Sequence, residues 1–535
     1  MPEYSDYRSL MADGERAWHA GDEVLRYDFI TSTPPSYYRS GAGWDIGGTS
    51  FGSFAGFAMD ARERAMMAAS IARWNEVATV NLVQGGGSNA DIVIGSAEFQ
   101  TGLYGFAYYP NADVLGRFGS HSGDIWVNAG FDQQNVPGVG PVTGHSSWYT
   151  YLHELGHALG LSHPNDRPDD PNSSAKYTVM SYVDHPSQFL ENPRMAAFPL
   201  TPMVWDIQAT QALYGANTET RNTATVYLGA GDGFASQAER AFQYGATNMQ
   251  IRGEDGRLRD VILTIWDGGG TDLLDASDFT QDAHIDLRAG HYSSIGGVTD
   301  NVAVAAKVRE DGRVVNFIEQ AWGGDGDDWI TGNPTGNKIR GGAGDDRIAG
   351  LAGRDKLFGD SGNDQIFGHK GRDRLHGKDG DDRLVGGQHQ DTLNGGSGQD
   401  RLAGGGGSDL LRGQAGDDLL WGDNGNDRLY GGAGRDIVNG GNGNDVLTGG
   451  AGVDIFVFAS GADQVLDFTR AEGDRIDLSR AAGITDFQGL TGSQGISGAR
   501  MQATDTGVVI RDDAGNNMWL LDVDLSDLSA DQFLF

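Results

Sequence analysis

Residues 323–457 repeat one pattern every nine residues, and no other feature of the sequence limits the possible fold as strongly. They divide into 15 consecutive nonapeptides without an insertion. Every copy begins with glycine, 13 copies carry a second glycine at the fourth place, and 14 carry aspartate at the sixth, with Asn337 as the exception. The eighth place is always apolar. An unbroken period of this length predicts a solenoid in which each repeat packs on its neighbours.

The alternation of side chains along a β-strand explains the apolar eighth place. A three-residue strand centred there would point this side chain inward and its two neighbours outward. The leucines and isoleucines would then stack into a thin core, while the glycines would allow tight turns with positive φ. The repeats therefore predict a parallel β-roll.

The sixth-place aspartates would be stacked in rows, and carboxylates in such rows repel one another unless a cation binds between them. Carboxylate and carbonyl oxygens are the ligands that calcium prefers. We expect calcium between sixth-place carboxylates and glycine carbonyls two repeats apart, which gives 15 minus 2, or 13, positions. The predicted calcium ligands are Asp328, Asp346, Asp355, Asp364, Asp373, Asp382, Asp391, Asp400, Asp409, Asp418, Asp427, Asp436, Asp445 and Asp454.

Composition alone would favour a disordered Gly/Asp tract over a roll. The block holds 22 Asp, no Glu and 14 Lys plus Arg, so its net charge is 14 minus 22, or −8. A linker needs neither an unbroken phase nor an apolar eighth place, and both features favour the roll. Without calcium, however, we expect the block to be disordered.

The composition of the whole chain excludes several classes of protein. Its 535 residues carry a formal net charge of −35, which disfavours nucleic acid as a partner. The absence of cysteine excludes disulfides, cysteine-ligated zinc and thiol catalysis. The sequence contains no stretch of about 18 apolar residues, so it predicts no transmembrane helix. The N-terminal residues also lack the basic start and apolar run of a signal peptide.

A second motif, His153-Glu154-Leu155-Gly156-His157-Ala158-Leu159-Gly160-Leu161-Ser162-His163, predicts a metal site. Two histidines four residues apart on a helix share one face, so both imidazoles can reach one zinc ion. Gly160 can end the helix in a left-handed conformation, and His163 can then approach the same ion from another direction. Any one of these histidines alone would be interpreted as an ordinary core or surface residue.

Three imidazoles would leave a fourth zinc position for water, whose pKa zinc lowers to about 7. Glu154, which is not a ligand, could take the proton and pass it to a leaving amine as general base and then general acid. The motif therefore predicts peptide hydrolysis with one catalytic zinc and no organic cofactor.

The eleven-residue spacing, with Pro164 directly after the third histidine, resembles the serralysins, bacterial metzincins that join a zinc protease to a repeats-in-toxin calcium roll. Tyr177-Thr178-Val179-Met180-Ser181-Tyr182 resembles the family's Met-turn. The resemblance implies that Met180 forms the hydrophobic floor beneath the metal. It also implies that Tyr182 is an additional zinc ligand that can swing away to stabilise the oxyanion.

Two features depart from the family. Met180 follows His163 by only 17 positions, and the array of 15 repeats is longer than the handful that is usual. The long array suggests an added role such as attachment to a cell-surface layer.

The resemblance also concerns export. The acidic C-terminal segment, which ends in Phe533-Leu534-Phe535, is similar to the signal of proteins exported by type I secretion machinery. We therefore expect a secreted, extracellular bacterial protein that acts on protein or peptide substrates as a monomer. It could also be associated with the cell surface. The three terminal residues could equally form a final strand.

The predicted fold class is multidomain, with an α+β metzincin-like catalytic domain, an all-β parallel roll and a β-rich C-terminal secretion domain. The predicted order is an N-terminal segment or propeptide (1–25), the catalytic domain (26–215), a β-rich lead-in (216–322), the roll (323–457) and the C-terminal domain (458–535). A helix is expected from about Met59 to Val77.

A calcium-dependent adhesion or surface-layer protein with an inactive protease-like domain is the alternative function. The complete set of His153, Glu154, His157, His163 and Tyr182 favours the enzyme. A lytic toxin has no support, since no acylation domain or amphipathic insertion segment is visible.

Overall fold

The fold was analysed in a computed structural model of the chain. The structure describes residues 24–30, 45–46, 49–50, 56–57, 59–86, 90–97, 105–107, 124–128, 146–164, 178–180, 198–221, 223–229, 239–241, 250–252, 258–305, 307–308, 314–315, 318–491 and 500–535. Of the predicted N-terminal segment or propeptide 1–25, residues 1–23 lie outside these ranges, while Val24 and Leu25 belong to the first strand.

The N-terminal part contains a mixed sheet and three helices. Its elements in chain order are β1 (Val24–Phe29), β2 (Asp45–Ile46), β3 (Thr49–Ser50), β4 (Gly56–Phe57), α1 (Ala61–Val77), β5 (Asn81–Gln84), β6 (Ile92–Ala97), β7 (Gly105–Ala107), β8 (Ile125–Asn128), α2 (Ser146–Ala158), β9 (Phe198–Pro199) and α3 (Val204–Tyr214). The sheet has the order β5-β1-β6-β8-β7, with parallel pairs except for β7, which is antiparallel to β8, and β4, which pairs antiparallel with β6. The helix expected near Met59–Val77 is α1.

Helices α1 and α2 pack together over this sheet, since α2 also contacts β7 and β8. Apolar side chains of α1 such as Met67, Ile71 and Trp74 are buried, as are Leu152 and Leu155 of α2. This packing fixes the position of α2, which carries the first two histidines of the motif.

A β-rich segment connects this part to the repeats. Its strands are β10 (Thr225–Leu228), β11 (Glu239–Ala241), β12 (Gln250–Arg252), β13 (Leu258–Ile265), β14 (Asp272–Asp275), β15 (His284–Asp286), β16 (Tyr292–Ile295), β17 (Val298–Val304), β18 (Lys307–Val308), β19 (Val314–Val315) and β20 (Ile318–Trp322). Strand β13 pairs with β9, and β15 pairs with the first repeat strand, so the segment contacts both neighbours.

The repeats form the predicted β-solenoid. Its strands are β21 (Trp329–Thr331), β22 (Lys338–Ala343), β23 (Arg347–Ala349), β24 (Lys356–Ser361), β25 (Gln365–Lys370), β26 (Arg374–Asp379), β27 (Arg383–Gln388), β28 (Thr392–Ser397), β29 (Arg401–Gly406), β30 (Leu410–Ala415), β31 (Leu419–Asn424), β32 (Arg428–Ala433), β33 (Ile437–Asn439), β34 (Asn442–Gly443), β35 (Val446–Ala451) and β36 (Ile455–Val457). Each strand pairs in parallel with the strand 18 residues away, for example Leu357 with Leu375.

Two parallel sheets therefore face each other across the stacked eighth-place side chains. All of these side chains, from Ile330 to Phe456, are fully buried. The expected three-residue strands are too short for most repeats, because strands such as β24 continue through the first-place glycine to the third place of the next repeat.

The C-terminal part extends the same sheets, includes three consecutive antiparallel strands and ends in one more parallel strand. Its elements are β37 (Ser460–Val465), β38 (Arg475–Asp477), α4 (Phe487–Thr491), β39 (Met501–Thr504), β40 (Gly507–Arg511), β41 (Asn517–Leu521) and β42 (Phe533–Leu534). Strand β42 pairs with β38, so the terminal apolar residues do form a final strand. None of the helices in the described ranges has the length and hydropathy that a membrane crossing requires.

Candidate metal centre

Helix α2 and the turn after it bring the three histidines together. His153 and His157 lie one helical turn apart and are buried. Gly160 follows the helix with φ of 96°, and the Leu161 amide donates to the Gly156 carbonyl at 2.9 Å. This reversal directs the chain back, so that His163 Nε2 lies 3.1 Å from His153 Nε2 and 3.1 Å from His157 Nε2.

Backbone carbonyls determine the tautomers of the two helical histidines. His153 Nδ1 lies 2.7 Å from the Val179 carbonyl oxygen, and His157 Nδ1 lies 2.7 Å from that of Leu161. A carbonyl oxygen can only accept, so each Nδ1 must carry the proton. Each Nε2 is then left with a lone pair that faces the other histidines.

This arrangement fits a tetrahedral zinc ion. The Nε2 lone pairs of His153 and His157 both point to His163 Nε2 at 3.1 Å, so one cation bound between the rings can be reached by all three nitrogens. Nitrogen ligands at about 2.0–2.1 Å from a tetrahedral zinc ion are themselves about 3.3 Å apart, close to the observed spacing. Within the part of the chain that the structure describes, these three histidines are the one group of at least three His, Asp or Glu side chains whose possible ligand atoms all lie within 4.8 Å of one another.

The protonation states of the histidines also suit metal binding. Burial, together with the neighbouring His163 and against the effect of the Val179 carbonyl, lowers the pKa of His153 to about 4. Burial and the two neighbouring imidazoles bring the pKa of His157 well below its usual range. Both rings are therefore neutral at pH 7, which is the form that binds a metal.

Glu154 has a free carboxylate oxygen inside the protein. The residue is 6% exposed, and its buried Oε2 has no hydrogen-bond partner. Burial raises the pKa of Glu154 to about 8. A carboxyl group with a pKa near neutrality and an unused oxygen is suited to proton transfer.

Met180 packs directly beneath the metal-binding turn of α2. Its side chain is fully buried, and a Cβ added at Gly156 would overlap the Met180 sulfur. Gly156 lies between the two helical histidines, where its missing side chain lets Met180 approach. The sequence analysis assigned Gly156 no role, although a glycine inside a helix is a signal of close packing.

Asp206 is a further residue with no role in the sequence analysis. It is fully buried in α3, and its carboxylate accepts hydrogen bonds from the Thr178 hydroxyl and from the Val179 and Met203 amides, the latter two at 2.8 Å. Burial raises its pKa to about 7 against the lowering effect of these donors. Because the Val179 carbonyl accepts from His153, Asp206 holds the segment that orients this ligand.

Two further residues of the predicted site differ in whether the structure describes them. Pro164 is buried directly after His163. Tyr182, the predicted fourth protein ligand, lies outside the described residues, and its role stays a prediction.

The sixth-place aspartates form two hydrogen-bonded ladders along the roll. The amide of each donates to Oδ1 of the aspartate 18 residues later, at 2.7–3.0 Å from Asp328 to Asp436. The second oxygen, Oδ2, is buried without a hydrogen-bond partner in 12 of them: Asp346, Asp355, Asp364, Asp373, Asp382, Asp391, Asp400, Asp409, Asp418, Asp427, Asp436 and Asp445.

Glycine carbonyls lie close to these free oxygens. A Cβ added at Gly341 would overlap both Asp346 Oδ2 and the carbonyl of Gly359, and the same holds for Gly377 with Asp382 and Gly395. Rows of buried, unpartnered carboxylate oxygens next to carbonyl oxygens are suited to calcium.

The first turns of the array differ. At Asn337, where aspartate is missing, Nδ2 donates to the Glu319 carbonyl and to Asn333 Oδ1, so the amide closes the turn. Both oxygens of Asp328 accept backbone hydrogen bonds, from Ala283 and Gly324. The free oxygens therefore begin at the third repeat.

A buried acidic cluster precedes the roll and was not predicted as a site. Asp272 Oδ2 has no hydrogen-bond partner, while its amide donates to Glu319 Oε2 at 2.9 Å and Tyr227 donates to Asp267. Burial, together with the neighbouring Asp267, raises the pKa of Asp272 to about 9. Carboxyl groups this close favour either a proton or a cation between them.

Comparison with known proteins decides the family. The profile described as peptidase M10 serralysin C terminal matches residues 216–534, which include the solenoid and the C-terminal strands. The chain belongs to the serralysin family. Its curated relatives include metalloprotease AprA of Pseudomonas entomophila (strain L48), 33% identical over 351 residues, which are 62% of this chain and 64% of the relative.

Two further relatives carry the family name. Serralysin of Proteus mirabilis is 31% identical over 348 residues (60% of this chain, 65% of the relative), and serralysin of Photorhabdus luminescens is 34% identical over 351 residues (61% and 63%). The chain thus spans slightly less than two thirds of the length of these relatives.

Proposed function

We propose that the protein is a zinc-dependent endopeptidase that hydrolyses peptide bonds of extracellular proteins. The observation that carries this proposal is the convergence of the Nε2 atoms of His153 and His157, each 3.1 Å from His163 Nε2, on rings whose Nδ1 protons are held by carbonyls. The names of the relatives and the family of the chain support it.

His153, His157 and His163 would hold the zinc, which when bound supplies a Lewis acid and makes hydroxide available near neutral pH. Glu154 accepts the proton of the attacking water at its carboxylate and later donates it to the leaving amine. Asp206 keeps the Val179 carbonyl in place for His153, and Met180 packs beneath α2. By the resemblance of the Met-turn segment to that of the family, we assign Tyr182 as the fourth protein ligand and as the group that stabilises the oxyanion.

Calcium has a structural role in this proposal. The free Oδ2 atoms of the roll would bind it outside the cell, where calcium modules bind at roughly 0.1–1 mM. The roll would stay unfolded at cytosolic calcium levels, which suits export through type I secretion machinery.

The test is casein hydrolysis by the purified protein with and without a zinc chelator, beside Glu154→Ala. We expect the substitution to lower turnover by about 10²- to 10⁴-fold while zinc content stays at one ion per chain. Glu472→Ala, at an exposed glutamate outside the site, serves as the control and should keep full activity. If wild type and Glu154→Ala are equally inert with zinc bound, the alternative of an adhesion protein with an inactive protease-like domain gains.

A further inference from the structure

A cleft of about 370 Å³ lies where the roll meets the C-terminal strands, far along the chain from the histidines. Its lining includes Trp421 of β31, Asn439 of β33, Phe458, and the side chains of Asp423 and Arg480. Its size falls in the range of about 300–1,000 Å³ that small-molecule sites occupy. Neither the peptidase proposal nor the calcium proposal uses it.

Asn439 is the observation that points to a ligand. It is 7% exposed, and its buried Oδ1 has no hydrogen-bond partner although the residue lines the cleft. The equivalent places on the same sheet are otherwise small, apolar or aromatic, apart from Thr331 in the first repeat: Ala349, Phe367, Val385, Ala403, Trp421 and Val457. An unpaired buried amide destabilises the fold, so packing gives no reason for it.

An aromatic ring stands beside this amide. Trp421 and Asn439 are directly paired residues on neighbouring parallel strands, so their side chains emerge about 4.8 Å apart on the outer face of the sheet. The Trp421 ring is partly exposed at the cleft. An indole surface offers an apolar face to a ligand, while the adjacent amide can both donate and accept hydrogen bonds.

The charges of the cleft favour a neutral ligand. Asp423 and Arg480 are exposed, and neither forms an ion pair with any described residue. One acid and one base cancel, and the remaining polar lining is amide and hydroxyl: Asn424, Asn442, Ser460 and Asn516. Such a lining matches a molecule with many hydroxyl groups and little charge.

We propose that this cleft binds a neutral oligosaccharide, with one pyranose ring stacked on Trp421 and its hydroxyls paired with Asn439. The C–H face of a pyranose is apolar and flat enough to lie on an indole ring, while its equatorial hydroxyls project to the sides, where Asn439, Asp423 and Arg480 stand. The cleft is open, so a longer chain can extend beyond it. This binding is independent of peptide hydrolysis and would hold the protein at a glycan-bearing surface.

The test is isothermal titration of the full, calcium-loaded chain with four probes: chitotetraose, cellotetraose, maltotetraose and tetragalacturonic acid. We expect at least one of the three neutral probes to bind, and Trp421→Ala to weaken its binding by about tenfold or more. Trp329→Ala is the matched control, because Trp329 is an exposed tryptophan at the far end of the same sheet and should be dispensable.

Asn439→Val separates a binding role from a structural one. Because valine occupies equivalent places such as Val385 and Val457, we expect its melting temperature to equal or exceed that of the wild type while sugar binding is lost. The proposal is overturned if no neutral probe binds, if Trp421→Ala binds as well as Trp329→Ala, or if only tetragalacturonic acid binds. A lower melting temperature of Asn439→Val with unchanged binding would also overturn the role of Asn439.

Discussion

At the residue scale, the metal centre depends on side chains that are small enough to let others approach. Gly156 sits in the middle of α2, where alanine would normally stabilise a helix by about 1 kcal/mol. Here a Cβ would overlap the buried sulfur of Met180. The packing cost therefore outweighs the gain in helix propensity.

Gly156→Ala should lower the stability of the zinc-loaded protein by about 1–3 kcal/mol, the usual cost of overpacking a core. Gly489→Ala is the matched control, since Gly489 lies in the exposed helix α4 and the nearest atom to its added Cβ, Asp486 Oδ1, is 3.3 Å away. Thermal unfolding of the two variants should show a loss for the first and no loss for the second. Equal melting temperatures would mean that Met180 can move away freely.

The histidines and Glu154 could be predicted from sequence because all of them lie within eleven residues, where helix geometry alone decides their spacing. Asp206 could not, since its partners Thr178 and Val179 are 28 and 27 positions away and only the folded chain brings them together. Gly156 could have been predicted to mark close packing, because a glycine inside a helix is a local indication of it.

At the element scale, the roll combines a well-packed apolar core with buried carboxylates whose second oxygens have no hydrogen-bond partner. Burial raises the pKa of Asp355, Asp364 and Asp427 to about 7, and that of Asp382 and Asp391 to about 8, from 3.8. In the absence of a cation, the folded roll binds more protons than the unfolded chain between about pH 4 and pH 8.

Because stability falls with rising pH wherever the folded state binds more protons, the calcium-free roll should be most stable near pH 4 to 5 and lose stability up to pH 8. The unfolded aspartates are already deprotonated in this range, and protons stabilise the calcium-free folded form, so the calcium concentration needed for half-maximal folding should fall as pH is lowered from 8 to 6. Far-ultraviolet circular dichroism in chelator, and again in a calcium titration at each pH, measures both. A calcium-free roll that is more folded at pH 8 than at pH 5 would contradict the assignment of the Oδ2 rows.

The repeat period made the roll predictable, because each nonapeptide packs against equivalent neighbours and its pattern lies within nine consecutive residues. Strand length was underestimated, since the extended backbone continues through the first-place glycine, as in Lys356–Ser361. The order β5-β1-β6-β8-β7 could not be predicted, because it depends on pairing between distant segments such as Val24 and Asn81.

At the scale of the whole molecule, the helical part is joined to the β-rich part by several polar contacts. Leu200 donates its amide to the Ile262 carbonyl at 2.9 Å, and β9 pairs with β13. Arg221 forms an ion pair with Glu76 of α1 at 2.8 Å and donates to the Trp266 carbonyl. The apolar core also continues from α1 and α2 into the roll.

Removal of calcium should therefore weaken the helical part even when zinc is retained. We expect faster hydrogen exchange of the α1 and α2 amides in zinc-loaded protein without calcium than with it, because α1 loses support when the β-rich segment loosens. Magnesium in place of calcium is the control and should not restore protection. Unchanged exchange in both helices would show that the two parts are stable independently.

The central claim is that His153, His157 and His163 hold one zinc ion, and anomalous diffraction at the zinc edge from crystals grown with zinc tests it most directly. The account predicts a single strong peak at about 2.0–2.1 Å from the three Nε2 atoms. No peak between these atoms, or one bound through other side chains, would contradict it.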